Sequence, residues 1–194
     1  MTMENAMPRA VRASLSVSFV AAFVALAIAA CGGEPAGARS EAARARELAR
    51  EGRAEEAIAA WRSALAARDD GATRLELARE LAGLGRVEEA SVEYATLLER
   101  SPRDAGLWLE FGRLAREKRR DPRGAELAFR KAVELLPGSA EAHGSLGLAL
   151  FDLGDHEGAS AELQSALSLA PPDASWRADV ERVLVLAHLR QRAR

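Results

Sequence analysis

Three histidines, one cysteine and a few adjacent carboxylates are the side chains of this sequence best suited to chemistry. His143, His156 and His188 have no metal-ligand spacing and no cysteine partner, and no H-E-x-x-H occurs. The pairs Glu55/Glu56 and Glu88/Glu89 could exchange protons. Both, however, fall at the starts of predicted helices, where negative charge complements the helix dipole. There is no Walker loop, no glycine-rich dinucleotide turn and no G-x-S-x-G. The chain is therefore expected to be no enzyme, with no metal site and no cofactor. Cys31 is single, which excludes an internal disulfide and a thiolate cluster. Its chemistry must involve something brought to it.

The elements that surround these residues are helical. Aromatics are 5% of the chain, and β-branched residues are scarce beyond the first 30 positions, which favours helix over strand. With so much alanine, the core must come from many small contacts between helices. A formal charge of −2 argues against nucleic acid as a partner.

Arg9 and Arg12 precede an uncharged apolar run from Ala13 to Ala30, and Ile28-Ala29-Ala30 lead directly to Cys31. A positive end, an apolar middle and small residues before the cut are the layout of a cleaved secretory signal. The run is at the short end for a spanning helix, and a start at Met7 would make the signal more compact. Ile-Ala-Ala-Cys resembles the lipobox of bacterial lipoproteins. The resemblance implies that Cys31 carries diacylglycerol, that residues 1–30 are removed, and that the new N-terminus is acylated. Several acyl chains anchor firmly where one would be marginal. Gly32 and Gly33 in place of Asp imply the periplasmic face of the outer membrane in a two-membrane bacterium. Loss of Arg9, Arg12 and Glu4 takes the formal charge from −2 to −3. Residues 31–40 would then be the lipidated cysteine and a tether reaching about 30 Å, which keeps the folded part close to the membrane.

A repeat of about 34 residues follows. Gly52-Arg53-Ala54-Glu55-Glu56-Ala57 recurs as Gly85-Arg86-Val87-Glu88-Glu89-Ala90 and as Gly154-Asp155-His156-Glu157-Gly158-Ala159. A looser copy, Asp121-Pro122-Arg123-Gly124-Ala125, carries one inserted residue. Small residues at Ala78, Gly112 and Gly147 allow two helices to approach closely. Pro102, Pro137 and Pro171 end the hairpins, and Asp104, Ser139 and Asp173 are expected to cap the helices that follow. Asp121-Pro122 reads as a cap followed by proline at the first helical position.

These positions resemble the tetratricopeptide repeat. The last copy supplies His143, Leu146-Gly147, Leu150, Ala159, Leu163, Ala166 and Pro171. The third supplies Trp108, Phe111-Gly112, Ala115, Ala125, Phe129, Ala132 and Pro137. The resemblance implies an all-α fold, a short solenoid of antiparallel helix pairs. Four repeats would occupy residues 41–173, and residues 174–194 would form a capping helix built on Trp176, Val180, Val183, Leu184 and Ala187. His143, at the early bulky position, is expected to pack.

The resemblance also places a concave surface on the first helix of each repeat. Its ninth position reads Arg46, Arg79, Arg113 and Leu148, with Arg182 in the final helix. Leu75, Leu109, Phe151 and Val185 fall at neighbouring groove positions. A series of guanidinium groups with apolar contacts between them suits an extended protein or peptide bearing acidic groups. Arg46 and Glu76 stand where the carboxylate clamp of chaperone-binding repeats needs Asn. Lys118-Arg119-Arg120 and Arg123 form a basic turn, either a solvated loop or a contact for anionic lipid. The expected function is a membrane-anchored scaffold of the bacterial cell envelope that binds a protein in its groove during assembly of an envelope complex. The alternative is a permanently bound, non-catalytic subunit of an envelope enzyme.

Overall fold

Local cap and turn chemistry sets where each helix starts and stops. In a computed structural model that describes residues 36–193, the described chain is helical throughout. The described residues divide into two compact units, the first ending at Asp70 and the second beginning at Gly71. Cys31, the expected signal peptide and most of the expected tether lie outside the described residues.

In the first unit, α1 (Ala36–Arg50) and α2 (Ala54–Ala67) form one antiparallel hairpin. Helix α1 begins at Ala36, so residues 36–40, expected as tether, are helical. Ala42, Ala45 and Leu48 of α1 and Ala57, Ala60, Trp61 and Ala64 of α2 are buried. Gly52 turns the chain between them with φ +75°, a left-handed conformation that glycine adopts without a Cβ clash.

The second unit holds three hairpins and a last helix. They are α3 (Gly71–Gly83) with α4 (Val87–Arg100), α5 (Ala105–Arg113) with α6 (Pro122–Leu135), and α7 (Ala140–Asp152) with α8 (His156–Leu169), followed by α9 (Arg177–Arg192). Asp104 accepts from the Leu107 N–H at 3.2 Å, Asp121 from Gly124 at 2.9 Å and Ser139 from Ala142 at 3.2 Å, as their sequence positions predict. Asp155 does the same for Gly158 at 3.0 Å. Asp173 does not cap. Two turns, closed by Ala174 N–H to Pro171 C=O and by Arg177 N–H to Ala174 C=O, carry the chain on, and α9 starts at Arg177 instead of 174.

Packing follows the small residues. Gly112 lies against the ring of Phe129, and Gly147 against Leu163. Ala78, Ala90, Ala125 and Ala159 are fully buried. One core cluster runs from Leu109 and Phe129 to Leu146, Leu150 and Ala159, joining the second and third hairpins of this unit. Helix α9 covers α8 with Val180 and Ala187. Gln191 Nε2 donates to the His156 carbonyl at 2.7 Å, and Arg177 Nη1 to that of Leu167 at 2.9 Å. Trp176, Val183 and Leu184 are only half-buried.

The one-residue insertion has a definite place. Helix α5 continues through Leu114–Lys118 as a π-helical turn, and the chain then passes Arg120 at φ +52°. Arg120 thus occupies the left-handed position held by glycine in the other hairpins. The Asp121 N–H reaches back six residues to the Ala115 carbonyl, where Arg86 and Asp155 reach back five.

Candidate functional site

The first helices of the second unit share one register, and an acid stands three residues before each arginine of the series. Glu76 precedes Arg79, Glu110 precedes Arg113, and Asp179 precedes Arg182, while Ser145 precedes Leu148. Stacking sets an arginine of one repeat against the acid of the next. Arg79 Nε donates to Glu110 Oε2 at 2.9 Å, and its Nη2 to Oε1. Tyr94, on α4, donates its hydroxyl to the same Oε2 at 2.9 Å. At the next step the equivalent residue is Ser145, so the Arg113 guanidinium pairs instead with Glu141, one turn earlier on α7.

These contacts set the charge states. The Arg79 guanidinium, against the opposition of partial burial, holds the Glu110 carboxyl below the usual glutamate range, and the Tyr94 hydroxyl adds to this. Burial first, then the bond to Glu110, pushes the Tyr94 phenol well above its ordinary value. The face therefore carries alternating charge, where a row of bare cations was expected.

Two adjacent clefts open on it. The first, about 400 Å³, is bounded by Arg79, Tyr94, Glu110, Arg113, Leu114 and Lys118. The second, about 170 Å³, is lined by Glu141, Gly144, Ser145, Leu148, Trp176 and Val180. The Arg113–Glu141 pair joins them, since Arg113 borders one and Glu141 the other.

The remaining expected groove residues divide. Arg46 is exposed on α1 of the first unit. Arg182 is exposed and pairs along its own helix with Asp179. Leu148 lines the second cleft, Leu75 is half-buried, and Val185 is 57% exposed. Leu109 does not line the groove. It is buried in the core with Ala125 and Phe129, because the helix turns its position inward. Phe151 serves packing, with its ring centroid 5.3 Å from that of His156 and the Arg190 guanidinium 4.8 Å above it.

His143 has a structural place. Its Nε2 lies 2.9 Å from the Pro137 carbonyl, matching Trp108 Nε1 on Pro102, and its Nδ1 lies 2.6 Å from Glu162. Arg74 meets Glu93 at the same separation of 19 residues two hairpins earlier. Glu56 and Glu89 hold Arg53 at 2.8 Å and Arg86 at 2.7 Å, so those carboxylates stabilise helix starts. No cluster of His, Cys, Asp and Glu fit for a metal occurs among the described residues, and no described helix is long and apolar enough to cross a membrane. Sequence reasoning missed Glu110, Glu141 and Trp176. The acid three residues before Arg113 was a signal for Glu110 alone.

The sequence matches the tetratricopeptide repeat family over residues 75–140 and 114–174, which together span just over half the chain. No curated protein matches it significantly. Among solved structures, MamA of Desulfovibrio magneticus is similar, with a TM-score of 0.67 and 18% identity over 84% of this chain and 99% of that one. Another MamA structure gives 0.71 at 18% identity, over 80% of this chain and 82% of that one. A thermophilic tetratricopeptide protein of Thermus thermophilus gives 0.54 at 24% identity, over 79% and 82%. At these identities the likeness concerns the fold.

Proposed function

Because the chain belongs to the tetratricopeptide repeat family, a family of protein-interaction scaffolds, we propose that it is a non-catalytic, lipid-anchored scaffold of the bacterial envelope that grips a protein segment along its first-helix face. The observation that carries this is the pair of adjacent clefts joined by Arg113–Glu141. An exposed ion pair contributes about 0–1 kcal/mol, so an incoming carboxylate can take Arg113 from Glu141 at small cost. Arg79 is held by Glu110, itself bonded to Tyr94, and is better suited to fix the shape of the first cleft. The partner is then an extended peptide with an acidic group for Arg113 and an apolar side chain for the cleft of Leu148 and Trp176. Membrane attachment rests on the Ile-Ala-Ala-Cys sequence, and assembly of an envelope complex rests on the scaffold fold together with that anchor.

Crosslinking in detergent, followed by identification of what accompanies the tagged protein, supplies the partner. Arg113→Ala and Leu148→Ala should weaken its binding at least fivefold, about 1 kcal/mol each, while Arg130→Ala on α6 leaves it unchanged. Equal affinity in all three refutes the groove assignment. Cys31→Ser should leave unprocessed precursor, and mature protein of normal size on the membrane would refute the anchor. The subunit reading draws on Val185, Leu186 and Leu189, which stay exposed on α9. It requires that the partner remain bound through fractionation in high salt.

A further inference from the structure

We propose that the turn at residues 118–123 is a second membrane contact, a cationic patch that seats on anionic lipid headgroups. It builds on the anchored-scaffold reading, which brings a lipid surface within reach, but apart from Lys118, which also borders the first cleft, it stands on different residues.

Two observations single out this turn. The first is its backbone. Ala78 to Ala90 and Gly147 to Ala159 each span 12 positions, whereas Gly112 to Ala125 spans 13. The extra residue is absorbed as the π-helical turn Leu114–Lys118, and Arg120 takes the left-handed conformation at φ +52°. Residues with a Cβ rarely adopt it, and such strain concentrates where a site has a use. Its effect here is to put a guanidinium where the sister turns have a bare glycine.

The second observation is charge. Lys118, Arg119, Arg120 and Arg123 are all exposed, and none forms an ion pair among the described residues. Nearby cations are engaged. Arg86 holds Glu89, Arg113 holds Glu141, and Arg116 donates to Asp152 at 2.7 Å. The acids of the turn are Glu117, which is exposed, and Asp121, whose carboxylate accepts the Gly124 N–H. Against those two acids the four cations leave a positive turn on a chain whose net charge is −2. The sister turns lack it, and the one before α8 carries Asp152 and Asp155. Residues 118–123 include no aromatic or large aliphatic side chain on which a base or a peptide could anchor. A lipid surface needs none, since headgroup phosphates bind cations through charge and hydrogen bonds alone.

The test uses the full-length gene product, purified from a bacterium and mixed with vesicles of phosphatidylcholine alone or with added phosphatidylglycerol. Trypsin cleavage after Lys118, Arg119, Arg120 and Arg123 is timed, with Arg103 as the control site. Cleavage at the turn should slow on anionic vesicles and not on neutral ones, with Arg103 unaffected. Salt at 1 M should abolish the protection, because screening there acts within about 3 Å. Each cation replaced by Gln should lower the protection about fivefold. Arg120→Gly should do so while melting no lower than wild type, which separates lost binding from lost folding. Equal cleavage rates on the two vesicle types would overturn the proposal. Protection by polyglutamate with none from phosphatidylglycerol would also overturn it, in favour of an acidic polypeptide. A protein that floats with anionic vesicles in low salt but never with neutral ones would refute the lipid anchor and leave the turn supported.

Discussion

Gly147→Ala isolates a close helix crossing in which backbone, as well as a side chain, stands in the way. Gly147 lies inside α7, and a Cβ added there would sit 2.7 Å from Leu163 Cγ, 2.8 Å from its Cδ2 and 3.1 Å from its backbone nitrogen. Carbon contacts are comfortable at about 3.5–4.0 Å, so the added methyl is roughly 1 Å too close. Leu163 is fully buried and one of the contacts is helix backbone, so α7 and α8 must move apart. Overpacking of this kind costs about 1–3 kcal/mol. Alanine's helix propensity returns about 1 kcal/mol, leaving a net loss of roughly 0–2 kcal/mol. Gly83, the last residue of α3, is the control, since its added Cβ would meet nothing within 4 Å. Gly83→Ala should gain about 0.5 kcal/mol from the reduced entropy of the unfolded chain. Urea denaturation followed by far-ultraviolet circular dichroism gives both midpoints, and hydrogen exchange in α7 and α8 locates the loss. If Gly147→Ala raises the midpoint as Gly83→Ala does, the assigned contact of α7 with α8 is wrong.

Three further outcomes are expected. Arg120→Gly should raise stability by about 1 kcal/mol, since it removes a Cβ from a left-handed conformation, and a lower melting temperature would contradict the strain assigned there. The Glu110 carboxyl titrates below its unfolded value, so its stabilising contribution is complete above about pH 4.3 and disappears as pH falls through the lower folded value. Arg79→Gln removes the main cause, and its melting temperature should fall less than that of wild type on acidification below that pH. Asp155→Ala should cost about 1 kcal/mol by freeing the Gly158 N–H, measurable as a lower urea midpoint.

Much of this architecture was legible because its signals are short-range. An aspartate or serine three residues before an amide, a proline after a helix and a glycine at a left-handed turn act within a few bonds, so Asp104, Asp121, Ser139 and Gly85 marked their helix ends directly. Small residues recurring at one repeat phase likewise announced the close crossings at Gly112 and Gly147. Asp173 failed because Pro171 and Pro172 let two turns intervene before α9, and nothing at Asp173 alone reveals that. The groove was less legible. Arginine at the ninth position told where a guanidinium stands, but its partner depends on the stacking of the next repeat. Glu110 lies 31 residues beyond Arg79, and Glu141 lies 28 beyond Arg113. Only tertiary structure set those pairs, turned Leu109 into the core and let the inserted residue become a π turn with Arg120 strained at its end. A cap acts within a few bonds of its own residue, whereas an ion pair across repeats exists only once helix packing has brought distant side chains together.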